Sequence, residues 1–149
     1  MRAVLHRVRS AKVLVDEKIV GQIAAGMVVY LGVGKDDTAT DLAYTAEKLS
    51  TIRIFADDQD RMNQSIADVS GGVLLISQFT LYADVRKGRR PSFDAAMGPA
   101  EAESLYLRMI ETLRGKGLKV ETGVFRADMQ IECIVDGPVT ILLDSQKQF

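Results

Sequence analysis

The chain has 149 residues, 47 % of them hydrophobic, and a formal net charge of −1. This is the size of one domain with an ordinary core, and no run of about 18 apolar residues would cross a membrane. The near-neutral charge argues against a protein that coats long nucleic acid, where phosphate neutralisation dominates binding. A single cysteine, Cys133, leaves no intramolecular disulfide and no cysteine-rich zinc site. The charged N-terminal stretch MRAVLHRVRSAKVLV lacks the apolar core of a signal peptide, so a reducing, cytoplasmic setting is expected.

In chain order, RAVLHRVRSAKVLVD alternates as a strand does. Val4, His6 and Val8 share one face, and Ala3, Leu5, Arg7 and Arg9 the other. KIVGQIAAGMVVYLGVG reads as two strands around Ala25-Gly26. The unbroken run Val28 to Leu31 implies that the second is covered on both faces. DDTATDLAYTAEKLSTIRIF then changes to helical spacing, with Leu42, Ala46 and Leu49 in register. Thr38 or Thr40 is its N-cap, and Asp41 in the first turn suits the helix dipole. STIRIFAD follows as a short strand, DDQDRMNQS as a loop, and GGVLLISQFTLYAD as one strand. GPAEAESLYLRMIETLRGKG is a helix opened by Pro99 and striped by Leu105, Met109 and Leu113. Gly115 or Gly117 ends it. VETGVF and MQIECIV come next, then a turn at Asp136-Gly137-Pro138, then VTILLD, the last two as a hairpin-like pair. These elements predict a single mixed α/β domain over residues 1–149, with largely antiparallel sheets packed on two main helices. A doubly wound parallel sheet is not expected.

The residues restrict the chemistry. His6 is the sole histidine, which excludes a His-rich metal site; on a strand face with Val4 and Val8 it reads first as a satisfied structural residue. There is no phosphate-binding G-x-x-x-x-G-K-[ST] loop and no G-x-S-x-G elbow. ADDQD reads as a solvated loop, so neither a metal nor a cofactor is expected. VRKGRR gathers Arg86, Lys87, Arg89 and Arg90, which reads as a solvated charged loop and leaves local contact with a nucleic-acid end open.

Two stretches stand out. In SQFT, alternation places Ser77 and Phe79 on one face, and Gln78 and Thr80 on the other. A Ser or Thr nucleophile needs a base within hydrogen-bond reach, and His6 is the sole imidazole. The hydroxyls are therefore satisfied strand groups unless the fold brings His6 to them. In VDGPVT, Gly137 tolerates positive φ, and the Gly-Pro bond is either an ordinary trans turn or cis.

Taken in order, RAVLHRV, GMVVYLGV, RIF, RMNQSI, SQFTLYAD, KGRRPSF, TGVF and DGPVT resemble the D-aminoacyl-tRNA deacylases over the length of the chain. SQFTLY and the Gly-Pro motif are the signature elements. One departure is Val135, where the family reads Asn. The resemblance implies a homodimeric, metal-independent hydrolase with the deacylase fold and active sites at the subunit interface. Its substrate would be the ester joining a D-amino acid, or glycine mischarged on tRNA(Ala), to the terminal ribose of tRNA. The Gly137-Pro138 bond would be cis and enter the partner's site, where its carbonyls hold the substrate's α-amino group and an L side chain is excluded. Arg7 would orient that motif. Ser77, Gln78, Phe79 and Thr80 would form the catalytic floor, with the Phe79 amide as an oxyanion-type donor and the ribose 2′-hydroxyl assisting water. Two alternatives stand beside this: Thr80 as a covalent nucleophile, and a non-catalytic RNA-end-binding module.

Overall fold

The computed structural model describes residues 1–148. In chain order the elements are β1 (Arg2–Val15), β2 (Lys18–Ile23), β3 (Gly26–Gly32), α1 (Ala39–Thr51), β4 (Phe55–Ala56), β5 (Met62–Gln64), β6 (Gly72–Ser77), α2 (Pro99–Gly115), β7 (Lys119–Thr122) and β8 (Gln130–Asp144). A 3₁₀ turn over Phe79–Tyr82 follows β6.

β1 is the spine. Along one edge it carries β3 over Arg2–Val8 and β2 over Ala11–Val15, both antiparallel. Along the other it carries β8, antiparallel from Arg2 opposite Asp144 to Leu14 opposite Gln130. β6 adds to β3 in parallel, and β7 to β6 in parallel. Parallel neighbours need long crossovers. The first contains α1 and the small β4–β5 pair, and the second contains α2.

Strand alternation divides the core. Ala3, Leu5, Met27, Val29, Leu31, Val73 and Leu75 pack with Leu42, Ala46 and Leu49 of α1 and Leu105, Met109 and Leu113 of α2. Val8, Ala11, Val13, Val28, Leu74 and Ile76 form a second, smaller core on the opposite face. β3 is therefore covered on both sides, as its unbroken apolar run implies. Thr38 caps α1 through a capping box with Asp41, and Pro99 opens α2. Among the described residues no helix is long and apolar enough to cross a membrane.

Three expectations need correction. DDQDRMNQS is not all loop, since Met62–Gln64 pairs antiparallel with Phe55–Ala56. LLISQFTLYAD is not one strand. β6 ends at Ser77, where its partner β3 also runs out, and the Gln78 N–H makes a last ladder bond to Leu31 O at 2.8 Å. Beyond it the chain winds into the 3₁₀ turn, so the alternating faces assigned to Phe79 and Thr80 do not exist. Nor do MQIECIV and VTILLD form a hairpin. β8 keeps its direction through the Gly-Pro motif. Val135 stands opposite Val8 and Thr140 opposite His6, so residues 136–139 bulge out opposite Arg7. Glycine and proline were expected to reverse the chain, but β1 is long enough to hold both halves.

Candidate active site

The 3₁₀ turn is pinned at its far end. A Cβ on Gly34 would lie 2.7 Å from atoms of the Tyr82 ring, so only glycine lets that ring lie so close. The Tyr82 hydroxyl donates to Asp37 Oδ2 at 3.3 Å, and the Arg2 guanidinium sits 4.7 Å over the ring. Asp37 is buried; its Oδ2 also accepts the Gly34 N–H at 2.6 Å, and its Oδ1 is paired with the buried Met1 ammonium. Burial, reinforced by the Asp37 charge, pushes the Tyr82 phenol far up, so it stays a donor.

At its near end the turn borders a cavity of about 580 Å³. Ser77, Gln78 and Phe79 form one wall. Phe93, Met97, Ala102 and Tyr106 form a second, and Phe125, Arg126, Asp128 and Met129 a third. Mostly apolar walls with a few polar groups are the usual make-up of a small-molecule site. Phe79 is 58 % exposed, and its ring meets Phe93 edge to face at 4.9 Å between centroids. Tyr106 sends its hydroxyl inward to Leu75 O at 2.8 Å. The first N–H groups of a helical turn find no acceptor within it. With the Gln78 N–H spent on Leu31 and the Leu81 N–H on Gln78 O, those groups belong to Phe79 and Thr80.

Thr80 does not line the cavity. Its Oγ1 accepts a short hydrogen bond from Gln78 Nε2, so its nearest partner gives a proton instead of taking one. His6 is not among the lining residues either. Its Nδ1 pairs with Thr140 Oγ1 at 2.9 Å and its ring meets Tyr30 edge-on, in keeping with the satisfied structural residue read from its strand face.

The Gly137–Pro138 peptide is cis, with Gly137 at φ +120°. Arg7 of β1 lies beside it. Its Nη1 donates to Ile54 O at 2.6 Å, and its Nη2 would lie 3.1 Å from a Cβ on Gly137. Its Nε lies 2.9 Å from Asp136 Oδ2, an ion contact not aligned as a hydrogen bond. Arg9 holds the other carboxylate oxygen at 3.1 Å. Gly137 and Pro138 do not line the cavity of their own chain. The fold thus gathers Ser77, Gln78 and Phe79 at one place and Arg7 with Gly137 and Pro138 at another. Asp37, Tyr82 and the aromatic walls were not foreseen, since their contacts join residues far apart in sequence. Among the described residues, no three His, Cys, Asp or Glu side chains are grouped to hold a metal ion.

The family model described as D-Tyr-tRNA(Tyr) deacylase matches residues 4–144. The chain belongs to the D-Tyr-tRNA(Tyr) deacylase family. It is 56 % identical to the D-aminoacyl-tRNA deacylase of Thermotoga petrophila and 54 % identical to that of Koribacter versatilis, each over 149 residues covering all of both chains. Among solved structures, the c-Myc DNA unwinding element binding protein has a TM-score of 0.91 at 36 % identity, covering 97 % of this chain and 98 % of that one. A probable eukaryotic D-amino acid tRNA deacylase has a TM-score of 0.80 at 21 % identity, covering 95 % and 97 %, a likeness of fold alone. Val135 is the position where the resemblance led one to expect Asn. In this member its backbone lies in the β1–β8 ladder opposite Val8, and the bulge after it is held by Asp136 between Arg7 and Arg9.

Proposed function

We propose that this chain is a cytoplasmic hydrolase that cleaves the ester of D-aminoacyl-tRNA, and of glycine mischarged on tRNA(Ala), and spares the L form. The observation that carries this reading is the wall Ser77-Gln78-Phe79, which sets an amide without an acceptor in its own turn beside a cavity of about 580 Å³. Water adds to the carbonyl carbon, and the Phe79 N–H receives the developing oxyanion. The bond to the ribose oxygen then breaks, that oxygen takes a proton, and the amino acid and tRNA leave. Such a donor is worth about 3–4 kcal/mol in other enzymes. An ester beside a vicinal hydroxyl needs little further help, so the substrate's own ribose 2′-hydroxyl orients the water. Ser77 and Gln78 hold substrate groups.

Chiral selection falls to Gly137-Pro138 acting across a homodimer. Two observations support this. The motif lies outside its own chain's cavity. Among the described residues β8 pairs with β1 alone and exposes Ile134, Val135 and Leu142, as an unpartnered edge with apolar side chains would before covering. The motif's carbonyls bind the substrate's α-amino group in the partner's cavity, and its backbone excludes an L side chain. Glycine, with no side chain, passes.

Incubation with matched D- and L-tyrosyl-tRNA tests the reading. Release from the D form alone is expected. Equal release from both overturns chiral selection, and binding without release from either leaves an RNA-end-binding module. A trapped acyl-enzyme lost in Thr80→Ala would establish the covalent alternative.

A further inference from the structure

The segment between the 3₁₀ turn and the cavity's second wall is a closed loop. Asp84 and Ser92 exchange backbone hydrogen bonds at 2.7 and 3.0 Å as an isolated antiparallel bridge. At its tip Gly88 sits at φ +73°, and a Cβ there would meet nothing within 4 Å, so the tip stands clear of the body. Arg86 folds back on Asp84, with Nε at 2.9 Å and Nη2 at 2.6 Å from its two oxygens. Hydrogen bonds from Arg86 hold the Asp84 carboxyl down at about 2, so this pair carries no net charge near neutrality. Lys87, Arg89 and Arg90 differ. All three are exposed, and none has a carboxylate partner among the described residues. In a chain of net charge −1, three unpaired cations on one projecting loop form a local positive field.

The loop runs straight into Phe93, which lines the cavity and meets Phe79. Arg90 is three residues from Phe93, so their Cα atoms are at most about 11 Å apart. Arg90 therefore lies near the cavity on its Phe93 side, with Arg89 and Lys87 next along the same loop. Guanidinium groups bind phosphate through a fork of two N–H donors, and the cavity beside them is read above as the seat of an RNA terminus.

We propose that Lys87, Arg89 and Arg90 form a clamp for the phosphates of the RNA strand that leads to the terminal nucleoside. This rests on the hydrolase reading for the identity of the strand. Phosphate contacts position a nucleic acid without reading its sequence, so the clamp serves different tRNAs alike.

The test uses the full chain carrying Lys87→Gln, Arg89→Gln and Arg90→Gln together, with D-tyrosyl-tRNA and the phosphate-free D-tyrosyl-adenosine as substrates. On the tRNA ester, kcat/KM should fall at least about tenfold at 0.1 M salt, with log affinity against log salt flatter by about 2–3. The loss should lie in KM and be similar for two tRNAs of unrelated sequence. Hydrolysis of D-tyrosyl-adenosine should be unchanged, and replacing the two arginines by lysine should restore most of the loss. Unchanged kcat/KM on the tRNA ester overturns the clamp. So does an equal loss on both substrates, which would mean that the loop acts through Phe93. Fluorescence anisotropy with uncharged tRNA reads the clamp independently. If the wild type hydrolyses neither ester, the hydrolase reading fails, and weaker tRNA binding by the triple variant still supports the clamp. Tighter wild-type binding to phosphatidylserine vesicles than to tRNA would assign the loop to a membrane surface and overturn it.

Discussion

Gly137 shows how one residue constrains this site. Its φ of +120° is open to glycine, and an added Cβ would meet Val139 Cγ2 at 2.8 Å, Val139 N at 2.9 Å and Arg7 Nη2 at 3.1 Å. Gly137→Ala should cost about 1–3 kcal/mol of stability, seen as a lower Tm, and should reduce deacylation of D-tyrosyl-tRNA. An unchanged Tm would mean that the bulge relaxes freely. Thr80→Ala removes a hydroxyl whose one hydrogen bond comes from Gln78. It should cost at most about 1.5 kcal/mol of stability and keep most of the activity, measured as kcat on D-tyrosyl-tRNA. Near-complete loss in a folded variant, together with an acyl-enzyme trapped in the wild type, would restore Thr80 as a nucleophile. Arg7 was visible in the sequence as a charge sharing a strand face with Leu5. What it contacts was not, because Ile54 and Asp136 reach it only through the fold.

The elements differ in how far they could be read. α1 was legible nearly to its cap, narrowed to Thr38 or Thr40, because its signals are local; the structure takes Thr38. Thr38 accepts the Thr40 N–H, and Asp41 accepts from the Thr38 backbone. Thr38→Ala should therefore lower stability by about 1 kcal/mol in urea unfolding. Burial alone would raise the Asp41 pKa, but hydrogen bonds from Ser145 and Thr38 and the N-terminal ammonium outweigh it and hold the carboxyl at about 2, against an ordinary 3.8. A lowered folded-state pKa gives stability that is present above the unfolded value and lost as pH falls through the folded one. The urea midpoint should therefore drop between about pH 4 and pH 2, and Asp41→Asn should show a shallower decline across that window. The 3₁₀ turn and the bulge of β8 were not legible. Alternation cannot show where a partner strand stops, and Gly-Pro cannot show whether a neighbouring strand holds both of its flanks.

For the molecule as a whole, the exposed edge of β8 is the decisive surface. Under the proposed dimer, Ile134→Asp or Leu142→Asp should give a monomer in sedimentation velocity and lose deacylation together with the association. A monomeric variant with full activity and full D over L preference would overturn the cross-subunit role of Gly137-Pro138. The dimer should also show a Tm that rises with protein concentration, since association stabilises the folded state by mass action.

Short-range patterns alone determined the alternating β1, the doubly covered β3, the two helices and the mixed α/β class. Each depends on side-chain period and caps within a few residues. The likeness of SQFTLY and DGPVT to a known family pointed to the chemistry. Only the tertiary structure decided that Phe79 sits on a 3₁₀ turn at a cavity wall, that Tyr82 and Asp37 pin that turn, and that Gly137-Pro138 is a bulge on an edge strand beyond its own chain's cavity. Hydrogen bonds between residues tens of positions apart made those choices. No local pattern records such partners, because backbone groups that can pair along the chain can also pair with a distant strand, and the packed core determines which of these forms.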